Sequence, residues 1–191
     1  MRYISTVRRN TVSGSGCRRK LREREVKGMF DKFGELSSAA EINELAVNLR
    51  SEGDFDGIKV LAKENGIDEE IAAVFVDGGI DFLCDPMSAA IGKIDVECAE
   101  LKPKELVMDW VEYIKGTCAE HEDMAAAVRE KGKSVKGCIA ELLKWSFKNC
   151  YAVDPEICKA AGVSSANVKM GIPGMARAKQ IIKDYYLGGA E

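Results

Sequence analysis

Residues 134–149 read SVKGCIAELLKWSFKN. Apolar residues fall at Val135, Cys138, Ile139, Leu142, Leu143 and Trp145, three and four apart. That is the period of an α-helix with one buried face, whereas a strand would alternate. Ser134 stands where its oxygen can accept from the first free N–H groups of the helix. The same grammar repeats outward along the chain. Upstream, SSAAEINELAVNLRSEG (37–53) places Ser38 and Glu41 at capping-box spacing, runs Ile42, Leu45, Ala46 and Leu49 down one face, and ends at Gly53. Asp54 caps the next helix and Gly66 stops it; Asp68 caps another, interrupted at Gly78 and Gly79. Asp85 is followed by Pro86, a cap and a first-turn proline. Pro103 is read as a further helix start, with Leu106, Trp110, Ile114 and Cys118 at i+4 and Val107 and Tyr113 widening the face. A short helix ends at Gly132. Downstream, Asp154-Pro155 opens another, and MARAKQIIKDYYLGG closes the chain. Only NVKMGI (167–172) suits an extended piece. The expected fold class is all-α: a compact bundle of roughly eight or nine short helices.

The first 28 residues differ. Glycine and serine beside RRKLRERE, with one leucine and no apolar face, predict a flexible basic arm, and Met29 reads as an alternative start. Charge divides the chain the same way. Residues 1–28 carry nine lysines and arginines against two acids, a net of +7; residues 29–128 carry eight against 23, a net of −15; residues 129–191 carry eleven against six, a net of +5. The expected organisation is thus an arm (1–28), an acidic helical region (29–128) and a basic helical region (129–191) packed with it as one domain. Such asymmetry concerns partners rather than fold.

No apolar run reaches the ~18–20 residues a membrane span needs, and the basic start lacks the apolar centre of a secretory signal, so no membrane partner is expected and a cytoplasmic location is. The seven cysteines never sit at CxxC spacing, and the single histidine is His121. Paired metal ligands are missing, so these are read as reduced thiols in helix cores, with no metal or cofactor. No second histidine, Ser-His-acid set or phosphate-loop motif accompanies them, so an enzyme is not expected; Glu-His-Glu-Asp at 120–123 reads as an acid-rich helix start.

Residues 156–186 imitate two DNA-binding motifs. CKAAGVSSANV has a helix-turn-helix turn at Ala161–Ser164, and would offer Ser165, Ala166 and Asn167 to a groove. Gly171 and Pro173 cut its second helix short. IPGMARAKQII resembles a helix-hairpin-helix, but Ala176 stands where the second glycine belongs. A helix start flanked by Lys169, Arg177 and Lys179 remains a reasonable anion site; a plain turn before a solvated basic helix is the alternative. Lys136, Lys144 and Lys148 share an i+4 row, Lys131 and Lys133 precede it, and Lys179 and Lys183 form a second pair. These nine cations are the candidate nucleic-acid contacts. A second helix-turn-helix lookalike, LAKENGIDEEIAAV, presents Asp68, Glu69 and Glu70, which a phosphate backbone repels, so these three are candidate protein contacts instead.

KGKSVKGCIAELLKWSF, VDPEICKAAGV and GIPGMARAKQIIKDYYLG, together with MFDKFGEL and AKENGIDEE, resemble small phage- and plasmid-borne type II-A anti-CRISPR proteins over about Met29 to Gly188. The resemblance implies an inhibitor that binds a type II RNA-guided DNA nuclease and blocks DNA targeting or cleavage, with DNA or guide RNA as auxiliary contact. A DNA-binding accessory protein of a mobile genetic element is the alternative. The acidic middle suits the basic channels of such nucleases.

Overall fold

The computed structural model describes residues 30–164 and 168–188; the predicted arm lies outside them. Nine α-helices and one two-stranded ribbon follow in order among the described residues: α1 Ala39–Glu52, α2 Phe55–Glu64, α3 Glu69–Val76, α4 Pro86–Leu101, α5 Leu106–Glu120, α6 Glu122–Arg129, α7 Val135–Lys148, β1 Tyr151–Ala152, α8 Pro155–Ala160, β2 Lys169–Met170 and α9 Met175–Leu187. The fold is all-α, as the spacing predicts.

The caps explain where most helices begin. Ser38, Asp54, Asp68, Asp85, Ser134 and Asp154 each accept a backbone N–H of their own first turn. The true capping box is at Asp85 and Ser88, whereas Glu41 reaches back to the Ser37 N–H at 2.8 Å rather than to Ser38. Two expectations need correction. Pro103 does not open α5: Lys102 and Glu105 take positive φ values of 51° and 50°, and the helix starts at Leu106. Leu143, expected on the buried face of α7, is 53% exposed, while Val135, Cys138 and Leu142 carry the packing.

Two apolar clusters meet along α4. Ile42, Ala46, Ile58, Leu61, Phe75 and Leu83 form one beneath α1–α3; Ile94, Val111, Ile114, Met124, Leu142 and Ile182 form the other among α4–α7 and α9. Ala89 belongs to the first, and its neighbour Ala90 to the second. The turn after α2 presses on α4 backbone to backbone: a Cβ on Gly66, at φ 65°, would stand 2.3 Å from the Gly92 carbonyl oxygen. Only glycine satisfies both the left-handed turn and that approach.

A buried polar junction fills the seam between the clusters. The Arg129 guanidinium donates to Asn65 Oδ1 at 3.0 Å, to the Ala89 carbonyl at 3.4 Å and to the Leu36 carbonyl. Lys93 donates to Glu35 at 2.5 Å and to the Lys133 carbonyl at 2.9 Å, and Glu97 accepts the Val135 N–H at 2.5 Å. Arg129 and Lys93 are each 1% exposed. Charges this deep require such partners.

The expectation for the cysteines holds in part. Cys84, Cys118, Cys138 and Cys158 are buried and free, but Cys98 is half-buried and Cys150 is exposed. Burial pushes the thiols of Cys118 and Cys138 up to about 12, so they stay protonated at neutral pH.

Candidate interaction surfaces

The three acids read as one group separate when α3 folds. Asp68 caps the helix, accepting from the Glu70 N–H at 2.8 Å. Glu69 lines a cleft of about 500 Å³ with Lys59, Lys63 and Ile67 of α2 and the turn after it. Glu70 stays on the outer face. The helix buries Ala72 and Phe75, which leaves Glu70, Ile71, Val74 and Asp77 on the opposite side, Ile71 43% and Val74 45% exposed. These residues, spaced i, i+1, i+4 and i+7, form an apolar strip with an acid at each end. No sequence motif marks Asp77. It sits at the C-terminal end of α3, whose last turn has no basic residue, where a negative charge opposes the helix dipole by roughly 0.3–1 kcal/mol. Local helix stability therefore does not explain it.

The nine candidate cations also divide. Lys136, Lys144 and Lys148 are exposed on α7, but an i+4 step advances about 40° round a helix, so the row slants across the solvent face. Lys144 pairs with Glu141 at 2.6 Å. Lys131 is exposed in the turn after α6. Lys133 is half-buried and committed inward: it donates to the Tyr185 carbonyl of α9 at 2.5 Å and lies over the Tyr185 ring. On α9, Lys179 lies 4.8 Å over the Tyr113 ring of α5, while Arg177 and Lys183 are exposed with no ion pair among the described residues. Lys169 is exposed on β2, whose Met170 pairs with Tyr151.

The helix-turn-helix imitation does not build a reading helix in the described residues. Val163, Ser164 and Val168 are not helical, and β2 follows directly; Ser165, Ala166 and Asn167 lie outside the described residues. The extended piece expected in 167–172 is present as β2, but nothing in the sequence pattern announces its partner β1.

The ribbon creates a feature that the periodicity of α7 conceals. Gly171 packs so closely on the end of α7 that an added Cβ would stand 2.4 Å from the Ser146 carbonyl oxygen. Beside that approach, Leu143, Phe147, Cys150, Ile172 and Lys169 line an open apolar groove of about 430 Å³. Phe147 is 74% and Ile172 63% exposed. Lys144 and Lys148, each next in sequence to a lining residue, are exposed on α7. Leu143 and Phe147 lie four apart and satisfy the helical stripe. Which side of the stripe is covered depends on α9 and the ribbon, and sequence spacing does not report that.

Among the described residues, no three histidine, cysteine or acidic side chains gather as metal ligands, and no helix is long and apolar enough to cross a membrane. His121 is exposed at the α5–α6 junction, with Glu122 and Asp123 in the first turn of α6. Fold and surfaces together describe an all-α protein with two exposed apolar patches bordered by opposite charge. Comparison with family models, with curated proteins and with solved structures returns no match.

Proposed function

We propose that this chain is a non-catalytic inhibitor of a type II RNA-guided DNA nuclease, of the anti-CRISPR class, acting in the cytoplasm of a cell that hosts a mobile element. The observation that carries the reading is the α3 strip: Glu70, Ile71, Val74 and Asp77 exposed together, with an acid at each end, of which Asp77 stands against the helix's own electrostatic preference. Such nucleases hold nucleic acid in strongly basic channels. An acid-flanked apolar strip suits the wall of such a channel, since the apolar pair supplies contact area and the acids supply orientation and on-rate. Occupying the channel denies it to DNA. The sequence resemblance over Met29 to Gly188 supports the same class.

A second reading rests on Lys136, Lys148, Arg177 and Lys183, four exposed cations outside any ion pair among the described residues. In it, the chain is a DNA-binding accessory protein of a mobile element. Co-purification of the chain with the nuclease, with and without guide RNA, beside a DNA mobility shift, separates the two. Capture by the nuclease and no shift of DNA alone is the expected result. A DNA shift without nuclease capture selects the second reading and removes the first.

A further inference from the structure

The chain carries both halves of one contact. The groove beside α7 is apolar, lined by Leu143, Phe147 and Ile172, with Lys169 in its wall, and Lys148, exposed, follows Phe147 in the chain. The α3 strip is apolar at Ile71 and Val74 and acidic at Glu70 and Asp77. We infer that the groove docks the α3 strip of a second copy of this chain, so that the protein self-associates through two different surfaces.

Dimensions and charge agree. Ile71 and Val74 lie three residues apart, about 4.5 Å along α3 at about 1.5 Å per residue, and Leu143 and Phe147 lie four apart, about 6 Å along α7. An amphipathic helix laid in an apolar groove is read through anchors at i, i+3 and i+4, which Ile71, Val74 and the flanking acids supply. Leu143 and Ile172 line the groove with one aromatic ring, Phe147, beside Ser146, Cys150, Gly171 and Lys169. That composition favours side-chain insertion over the aromatic platforms on which unpaired bases stack. Each copy has one strip and one groove, so the contact closes as a reciprocal dimer or continues as an open series. The patch is small, so the association is weak and transient. The same strip is proposed above to meet the nuclease, so a copy whose strip is docked in a neighbour does not meet the nuclease at the same time. The inference itself does not depend on that reading, because its test uses the protein alone.

Sedimentation of the full chain tests it. At ~0.05 M salt the apparent mass should rise above the 20.9 kDa monomer as protein increases from about 10 µM to about 1 mM. At ~1 M salt, where the Debye length is about 3 Å, it should fall back toward the monomer. Two charge-reversed variants, Glu70→Lys with Asp77→Lys and Lys148→Glu with Lys169→Glu, should each stay monomeric alone and associate when mixed. Phe147→Ser, at a side chain the fold leaves in solvent, should weaken association at least ~10-fold and serves if a double reversal fails to fold. A monomer throughout the low-salt series overturns the inference. So does association that survives both reversals, or a mixture that stays monomeric. If the wild type stays monomeric while Lys148→Glu with Lys169→Glu abolishes binding to a single-stranded oligonucleotide, the groove is a nucleic-acid surface and the inference is also overturned.

Discussion

At the residue scale, the least legible feature is the buried charge between the two cores. Arg129 and Lys93 look like surface cations in the sequence, because nothing in VREKG or IGKID marks a lysine or arginine as internal. Their hydrogen-bond partners lie 37 to 93 positions away, Leu36, Asn65 and Ala89 for Arg129 and Glu35, Glu130 and Lys133 for Lys93, while Glu97, four residues on, lies 4.0 Å from the Lys93 ammonium. Arg129→Leu should therefore destabilise strongly. It leaves the Leu36 carbonyl and the Asn65 amide oxygen without this donor, a loss of about 1–3 kcal/mol for each acceptor left unsatisfied. A thermal midpoint lower by about 6 °C or more should follow, and an unchanged midpoint would show the junction to be dispensable. Glu97 gives a second expectation. Burial lifts its carboxyl above the usual range, opposed by the Val135 N–H and Lys93. The folded chain thus holds that proton more tightly than the unfolded chain does. The stability this provides is complete below the unfolded pKa of about 4.3 and is lost as pH rises through the raised folded value. Asp85 has the opposite sign: N–H groups of its own turn hold it low, so its contribution is lost only as pH falls through that depressed value. From about pH 4.3 up through the raised Glu97 value, stability should fall with rising pH, and Glu97→Gln should flatten the trend in denaturant midpoints. An identical slope in the variant would show that Glu97 is not its source.

At the scale of elements, the caps make the fold readable. A serine or aspartate followed by an apolar run is a local signal, and Ser38, Asp54, Asp68, Asp85, Ser134 and Asp154 all cap the helices expected of them. Pro103 misleads because a proline that suits a helix start equally suits the irregular turn that precedes one. β1 is invisible in the sequence because two residues give no alternation to detect. Gly66 and Gly78 look alike in sequence as helix-stopping glycines, yet the structure separates them. Gly78, at φ 79°, faces open space, whereas a Cβ on Gly66 strikes the α4 backbone. Gly78→Ala should cost about 1–2 kcal/mol, the ordinary penalty of a left-handed alanine, and Gly66→Ala distinctly more, because backbone cannot yield as a side chain can. Equal losses in chemical denaturation would contradict the packing of α2 on α4. The basic row of α7 divides similarly. If the chain binds DNA, Lys136→Ala with Lys148→Ala should lower the salt slope by about two, one for each phosphate no longer neutralised. Lys133→Ala should leave the slope alone and lower the thermal midpoint instead, since its ammonium holds α9. A slope change from Lys133→Ala would place that lysine on phosphate.

At the scale of the whole molecule, the regional charges forecast two poles but not where the usable surface lies. The acidic region spends Glu69 beside α2 lysines and Glu97 in the core, and keeps Glu70 and Asp77 beside exposed apolar side chains. The basic region commits Arg129 and Lys133 to packing. What sets the α3 strip and the α7 groove apart is exposed apolar surface beside charge, which the regional totals do not report. The central claim is that the α3 strip docks the chain on its nuclease. Titrating target-DNA cleavage by the guide-loaded nuclease with the wild type and with Glu70→Lys plus Asp77→Lys tests it most directly, using protein dilute enough to be monomeric. The account predicts that the wild type suppresses cleavage near one chain per nuclease, and that the variant, with an unchanged thermal midpoint, needs at least ~10-fold more, the effect of about 1.4 kcal/mol of lost binding. A wild type without effect on cleavage, or a variant as potent as the wild type, would contradict it.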